Sequence, residues 1–421
     1  MSRTRSSRAI GGERGWALVT AMIVMGITLA FGLAALSLAD FQTAQSGRER
    51  VGESSFNLSE GTLSAQLFVL SQRWPGTALG QYPSSCVSTG PADARCPEAA
   101  RISASFDSPD YAADTSWSTI VRDNNVAAGT SPSYFYDEAV TSLQPAWDAN
   151  ADGRVWVRSR AVVRGKRRSL VALVKVEKIQ ESFPRSVLTA GRFSITPSGK
   201  QTYIDTGGSN VQVRCTPRGL LPDARDDCAG YEPAKGQIAP ENVTYGYQGG
   251  SAIRDDALTR FKRRAQAEGT YCGPEGVLNT AFCNATTKCP LPASMNRPGG
   301  VIYAAPGVDT LCNYAANIKP CCNTEAQPGL LIFENGRLEI AADISFWGLI
   351  YMANKQGSSD PAVLALKGGM TLYGAAIVDG NGGFVAGSNG LNVVYKENVF
   401  NSAISYGTAG IIRNTFREIP G

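Results

Sequence analysis

Histidine is missing from all 421 residues. That absence excludes Ser-His-Asp and Cys-His nucleophilic catalysis, and every zinc site that needs an imidazole. Excess charge is scarce as well. Forty Lys and Arg stand against 36 Asp and Glu, and a formal charge of +4 does not imply a nucleic-acid partner. No cysteine precedes Cys86, yet ten follow: Cys86, Cys96, Cys215, Cys228, Cys272, Cys283, Cys289, Cys312, Cys321 and Cys322. Zinc held by cysteine alone requires two pairs spaced two to four residues apart. Neither Cys283 with Cys289 nor the adjacent Cys321 and Cys322 fits that spacing, so no metal site is expected and the cysteines read as disulfides. Cys86 with Cys96 and Cys215 with Cys228 are near enough in sequence to close small loops; the full connectivity stays open. Disulfides persist on the oxidising side of a membrane, which places the body of the chain outside the cytoplasm.

What is present begins with a run of twenty-four residues free of charge, Trp16 to Ala39. As a helix it is long enough to cross a hydrocarbon core of about 30 Å. Polar residues start at Asp40, but Phe41, Ala44, Val51, Leu58, Leu63, Leu67, Leu70 and Trp74 recur at helical spacing until Pro75-Gly76 halts the pattern. One helix of roughly 90 Å is expected, greasy first and amphipathic second. Gly26, Gly32, Gly47, Gly52 and Gly61 suit a bundle whose backbones approach closely, and local loosening at Gly47 and Gly52 is the alternative. Arg3, Arg5, Arg8 and Arg14 precede the run against Glu13 alone, so the N-terminus faces the cytoplasm and the body the other side. A secretory signal, with Ser37-Leu38-Ala39 as a weak cleavage site, and a plain signal anchor are the competing readings.

Glu13-Arg14-Gly15 followed directly by WALVTAMIVM resembles the class III leader of type IV pilins and pseudopilins. The resemblance implies cleavage between Gly15 and Trp16 by a prepilin peptidase. It also implies insertion in the inner membrane and packing against other pilin-like subunits through the helix. Major pilins carry glutamate at the fifth mature position, here Thr20; that departure resembles minor pilins of the PilX type. The likeness runs on through Phe56-Asn57-Leu58-Ser59-Glu60-Gly61. Further along, PGLLIFENG and FWGLIY resemble a glycine-rich β domain that follows PilX-type leaders, over roughly residues 250 to 400.

The remaining chain reads as β-rich. Residues 76–145 are polar, with loops and short strands. Arg154 to Val163 alternates, with Val155, Val157, Ala161 and Val163 on one face and Trp156, Arg158 and Arg160 on the other; it turns at Arg164-Gly165-Lys166-Arg167 and returns as Ser169 to Glu177. Two stretches of this hairpin invite chemistry. Asp148, Asn150, Asp152 and Gly153 match the opening of a calcium loop, yet its twelfth position is Ser159 within a strand, and an Asp/Asn turn is the preferred reading. The tip, Arg164, Lys166, Arg167 and Arg168, suits an anion, but without interleaved aromatics it reads first as a solvated turn.

A soluble helix is expected from Arg254 to Glu268, with Asp255 or Asp256 at its start and Gly269 at its end. From Gly300 short apolar strands alternate with glycine-rich turns, and Phe346–Tyr351 nearly repeats at Leu372–Ile377. Stacked coils of a β-solenoid are expected, with an antiparallel sandwich as the alternative. The fold class is thus α+β, mostly β: a basic leader (1–15), a transmembrane and amphipathic helix (16–75), a β-rich part with the hairpin (76–182) and a disulfide-rich, solenoid-like part (183–421). In the coils Asp343, Asp360 and Asp379 are scattered rather than paired, which disfavours a polysaccharide-cleaving enzyme. The expectation is a non-enzymatic minor-pilin-like subunit without cofactor. It would be a single-pass inner-membrane protein whose head faces a surface polysaccharide or host surface, at low copy or at a filament tip. A plain anchored adhesin is the further alternative.

Overall fold

The computed structural model describes residues 13–76, 80–112, 114–124, 133–195, 203–214, 242–248, 250–276, 278–297, 299–315, 322–387 and 391–420. A single helix, α1, spans Glu13–Gln72 without a break at Gly47 or Gly52, so the loosening considered there does not occur. Trp74 lies just past its end, fully buried, with Pro75 following.

The second half of α1 lies on an antiparallel sheet. Its strands are β1 (Cys86–Val87), β2 (Ser116–Asp123), β3 (Arg154–Val163) and β4 (Lys166–Gln180), joined by two strands from the far end of the chain, Ile404–Ile411 and Arg417–Ile419, both paired with β4. Strand β2 has eight residues, longer than the short pieces expected before residue 145, and it pairs with β3 along its whole length. The hairpin forms with Arg164 and Gly165 both at positive φ, the two-residue turn that matches strand twist. Alternation sorts its side chains. Val155, Val157, Leu170, Ala172 and Val174 meet Leu63, Leu70 and Trp74 of the helical segment, while Trp156, Val171 and Leu173 cluster with Tyr136 on the opposite face. Between helix and sheet runs a buried polar seam. Ser59 donates to the Ser159 carbonyl (3.2 Å), Thr62 and Ser159 share a hydroxyl contact, and Gln66 accepts from Thr119 (2.6 Å) while donating to the Arg95 carbonyl (3.1 Å). Small polar residues let the helix approach closely, and their pairing offsets the cost of burying them.

The rest of the head is inserted between β4 and Ile404. From Gly300 the chain alternates between two sheets: Gly300–Ala304, Gly329–Phe333, Ser345–Met352 and Thr371–Val378 in one, Leu311–Ala315, Arg337–Ala341, Leu364–Lys367 and Gly383–Ala386 in the other. Each strand pairs in parallel with the next of its sheet. The antiparallel sandwich is therefore wrong for this region, since each return passes through the facing sheet and leaves the strands of one sheet running the same way. The near-repeat noticed in sequence is an in-register pair: Phe346 opposes Leu372, Trp347 stacks on Tyr373 (4.0 Å between rings), and Gly348 opposes Gly374. Here the glycines are obligatory. A Cβ on Gly348 would stand 1.9 Å from the Gly329 carbonyl oxygen, and one on Gly374 2.0 Å from that of Gly348.

The stack is not built in chain order. Leu188–Ala190 and Arg192–Ile195 pair with the last complete coil, at Thr371–Val378 and Gly383–Ala386, and Val211–Val213 and Val243–Thr244 extend beyond them. Tyr271–Cys272 closes the opposite end against Gly300–Ala304. The helix Asp255–Glu268 carries the chain back between these ends, covering the outer face of the larger sheet with Leu258, Phe261 and Ala265 against Tyr303, Ile332 and Tyr351. Covered on both faces, that sheet has strands such as Gly329–Phe333 buried at every residue. Asp255 and Asp256 occupy the helix's first turn without a side-chain cap, and Gly269 ends it in the left-handed region. The unit expected over 183–421 stops near residue 403, because the final strands return to β4; alternation shows that a segment is a strand but not which sheet receives it.

Candidate functional site

The one candidate site that the fold singles out is the half of α1 outside the head. Every residue from Trp16 to Arg50 is exposed, whereas Leu58, Leu63 and Leu70 are 1% exposed or less. Met25, Leu29 and Phe31 each expose two thirds or more of their surface. Isolated exposed apolar side chains are ordinary, but a contiguous sleeve of them marks a surface that something else covers. Among the described residues this is the one helix long and apolar enough to cross a membrane.

Local chemistry suits that environment. The Thr20 hydroxyl donates to the Trp16 carbonyl, and Thr28 donates to those of Val24 (2.9 Å) and Met25 (3.0 Å). Hydroxyls bound to their own helix present no unsatisfied donor to lipid. Thr20 thus adds no charge to the sleeve. Gly15 and Trp16 lie within the helix's first turn, and Trp16 is 77% exposed. A Cβ at Gly26, Gly32 or Gly47 would meet nothing, while one at Gly61 would press into the Phe106 ring at 2.5 Å. The packed half's glycine is explained by this chain; those of the free half are not.

The other sequence candidates fall into place around this helix. The turn Asp148–Gly153 sits at its far end. Asp148 accepts from the Trp74 indole (3.2 Å) and from the backbone of Asp152 (3.1 Å) and Gly153 (2.9 Å). Asn150 accepts from the Asp152 backbone (3.0 Å), and Asp152 from the backbone of Arg154 (2.8 Å) and the amide of Asn124 (3.0 Å). Oxygens offered to calcium by the sequence are thus bonded within the turn or to Trp74, Asn124 and Arg154 beside it, and no group fit to hold a metal occurs among the described residues. Sequence reasoning missed Asp123, which β2 brings beside this turn. Burial, reinforced by the charges of Asp148 and Asp152, pushes its carboxyl up to about 7, and burial raises Asp148 as well. Asp123 precedes the turn by some twenty-five residues, and only the β2–β3 pairing reveals the proximity.

The basic tip lies against the lower part of the packed half of α1. Arg164 donates to the Pro109 carbonyl, Arg168 pairs with Glu418, and Lys166 and Arg167 are exposed. Disulfides join Cys86 to Cys96, Cys272 to Cys283 and Cys289 to Cys312, the last two at one end of the coil stack. Cys322 is also disulfide-bonded. Cys215, Cys228 and Cys321 fall outside the described residues. The three coil aspartates each serve their own surroundings. Asp379 is buried and accepts from the Tyr351 hydroxyl (2.6 Å) and the Ala252 backbone (3.0 Å), Asp360 accepts from Ala362 (2.7 Å) and Arg337 (3.3 Å), and Asp343 from the Gly369 backbone (2.9 Å).

No protein-family model and no curated protein matches the sequence. Among solved structures, the crystal structure of the competence-associated pilin ComZ from Thermus thermophilus is similar at a TM-score of 0.22 and 12% identity, over 88% of this chain and 96% of that one. At that score and identity the likeness fixes neither fold nor role.

Proposed function

We propose that the chain is a non-enzymatic, pilin-like subunit of the minor, PilX-like kind. It enters the inner membrane with its head outside, is cut between Gly15 and Trp16 by a prepilin peptidase, and joins a type IV pilus-like or secretion filament through α1. One observation carries this reading: a single unbroken helix is wholly exposed and apolar over Trp16–Ala39 and then serves as the core of a folded head. A membrane covers that sleeve before assembly, and the helices of neighbouring subunits cover it afterwards. The head, a solenoid-like stack inserted into an antiparallel sheet, is the part displayed for adhesion or surface binding.

Sequencing the mature N-terminus in cells with and without the prepilin peptidase tests the proposal. A start at Trp16 that disappears with the peptidase is expected. An unprocessed chain, or cleavage after Ala39, would leave an anchored or secreted adhesin instead.

A further inference from the structure

The hairpin tip stands at the end of the head from which the free half of α1 leaves. Moving down the interface, Ser159 of β3 meets Ser59 and Thr62, Arg168 lies beside Gly52, and Arg50 pairs with Asp110 (2.9 Å), whose neighbour Pro109 accepts from Arg164. Strand β3 therefore descends α1 towards its N-terminus, and the turn at Arg164-Gly165 lies level with about Arg48 to Arg50. Counting from Ala39, Arg48 is nine residues along, or roughly 13 Å at 1.5 Å per residue. Headgroups extend about 5–7 Å beyond each side of the hydrocarbon core. The gap that remains, roughly 7 Å, is within the Debye length of about 8 Å at physiological salt and within the reach of a long side chain.

Six cations meet at this level: Arg48 and Arg50 from the helix, and Arg164, Lys166, Arg167 and Arg168 from the hairpin. Among the described residues, Arg50 is paired with Asp110 and Arg168 with Glu418, while Arg48, Arg164, Lys166 and Arg167 make no ion pair. The acids closest in sequence are Glu49, which accepts from Gln45, and Glu53. An open cleft of about 660 Å³ lies between helix and hairpin, and its charged lining is mixed, Arg48, Lys166 and Arg168 against Glu49, Glu53 and Glu418. The surplus of positive charge lies on the exposed tip, at Arg164, Lys166 and Arg167.

We propose that this basic collar binds the headgroups of anionic phospholipids and so holds the unassembled head against the membrane. The proposal rests on α1 spanning the bilayer. Basic groups near an anionic surface each strengthen attraction about fivefold, and the effect fades with salt. The exposed cations of the tip are opposite in sign to those headgroups, and they stand beside the helix that enters the same leaflet.

The full chain reconstituted in nanodiscs tests it, using phosphatidylcholine alone or mixed with about a third phosphatidylglycerol. Hydrogen exchange of residues 163–168 and native mass spectrometry of retained lipid are the readouts. Slower exchange at the tip and enrichment of phosphatidylglycerol are expected in the anionic discs only. Both should vanish in about 1 M salt, where the Debye length falls to about 3 Å. The variant K166Q/R167Q, which alters two exposed residues at the start of β4, should weaken retention by at least about tenfold, and R48Q, on a different element, by about fivefold. Equal exchange and equal retention in both discs, with residues 17–39 protected in each, would overturn the collar alone. Free exchange at 17–39 in either disc would overturn the spanning helix and the collar with it.

Discussion

The two halves of α1 are one helix by backbone and two elements by environment. From Ser54 to Leu70 the helix supplies Leu58, Leu63 and Leu70 to cores shared with β2, β3 and β4, and its Ser59, Thr62 and Gln66 find partners across the interface. From Trp16 to Arg50 it supplies nothing to any core of this chain. Helical stability in water comes mostly from packing an amphipathic face, so the free half needs an apolar environment from outside. The contrast separates two kinds of damage. Substitutions in the packed half should unfold the head; those in the free half should leave the head intact and spoil only insertion and assembly.

The largest effect is expected at the end of the packed half. Trp74→Ala removes a fully buried indole and one of the donors to Asp148, and should cost about 3–5 kcal/mol in denaturant unfolding of the head. A loss below about 1 kcal/mol would mean that the helix rests on the sheet without stabilising it. Next comes the mirror experiment in the free half. Leu29→Lys, at the middle of the run, should raise the apparent cost of membrane insertion by about 3 kcal/mol and leave head unfolding unchanged. Head destabilisation by L29K would contradict the division. A matched pair of glycines compares the halves by one methyl group. Gly61→Ala drives a carbon into the Phe106 ring and should cost about 1–3 kcal/mol, whereas Gly26→Ala meets nothing in this chain and should show its effect in filament incorporation. Equal thermal midpoints for the two variants would erase the distinction.

How much of this was legible in the sequence depends on how far each signal reaches along the chain. The helix was legible because an uncharged run and a recurring apolar face are local patterns. So was the β3–β4 hairpin, from alternation on either side of Arg164-Gly165-Lys166-Arg167, although Lys166 and Arg167 belong to β4 and only Arg164 and Gly165 form the turn. The repeat offset by 26 residues foretold an in-register parallel pair, because the two segments are one coil apart and adjacent coils set like positions on like. What stayed hidden was non-local. Nothing in Leu188–Ala190 announces that it joins the last coil, nor in Ile404–Ile411 that it closes the first sheet. Strand β2 went unread because Ser116, Ser118 and Arg122 dilute its apolar residues, although Trp117, Ile120 and Val121 are buried. The collar was visible as charge, but its closeness to Arg48 and Arg50 required the direction of β3 along α1.

The smallest effect concerns the far end of the packed half, where Trp74 meets the turn at Asp148. Asp123 is 2% exposed, and burial pushes its carboxyl up to about 7 from the ordinary 3.8. A raised acid pKa means that the folded state holds a proton which the unfolded state has released. Stability from this group is therefore complete below about pH 4, declines as pH rises towards about 7, and is flat above. Asp148, raised by its own burial, slopes the same way. The head should thus melt at a lower temperature at about pH 8 than at about pH 5, opposite to the behaviour of salt-bridged carboxylates, whose depressed pKa values favour higher pH. Asp123→Asn keeps the volume and a hydrogen-bonding oxygen but removes the titration, so its melting temperature should fall less between those two pH values and exceed that of the native chain at the upper one. An unchanged slope in D123N would mean that Asp123 is ionised in the fold and that the pH dependence comes from another group.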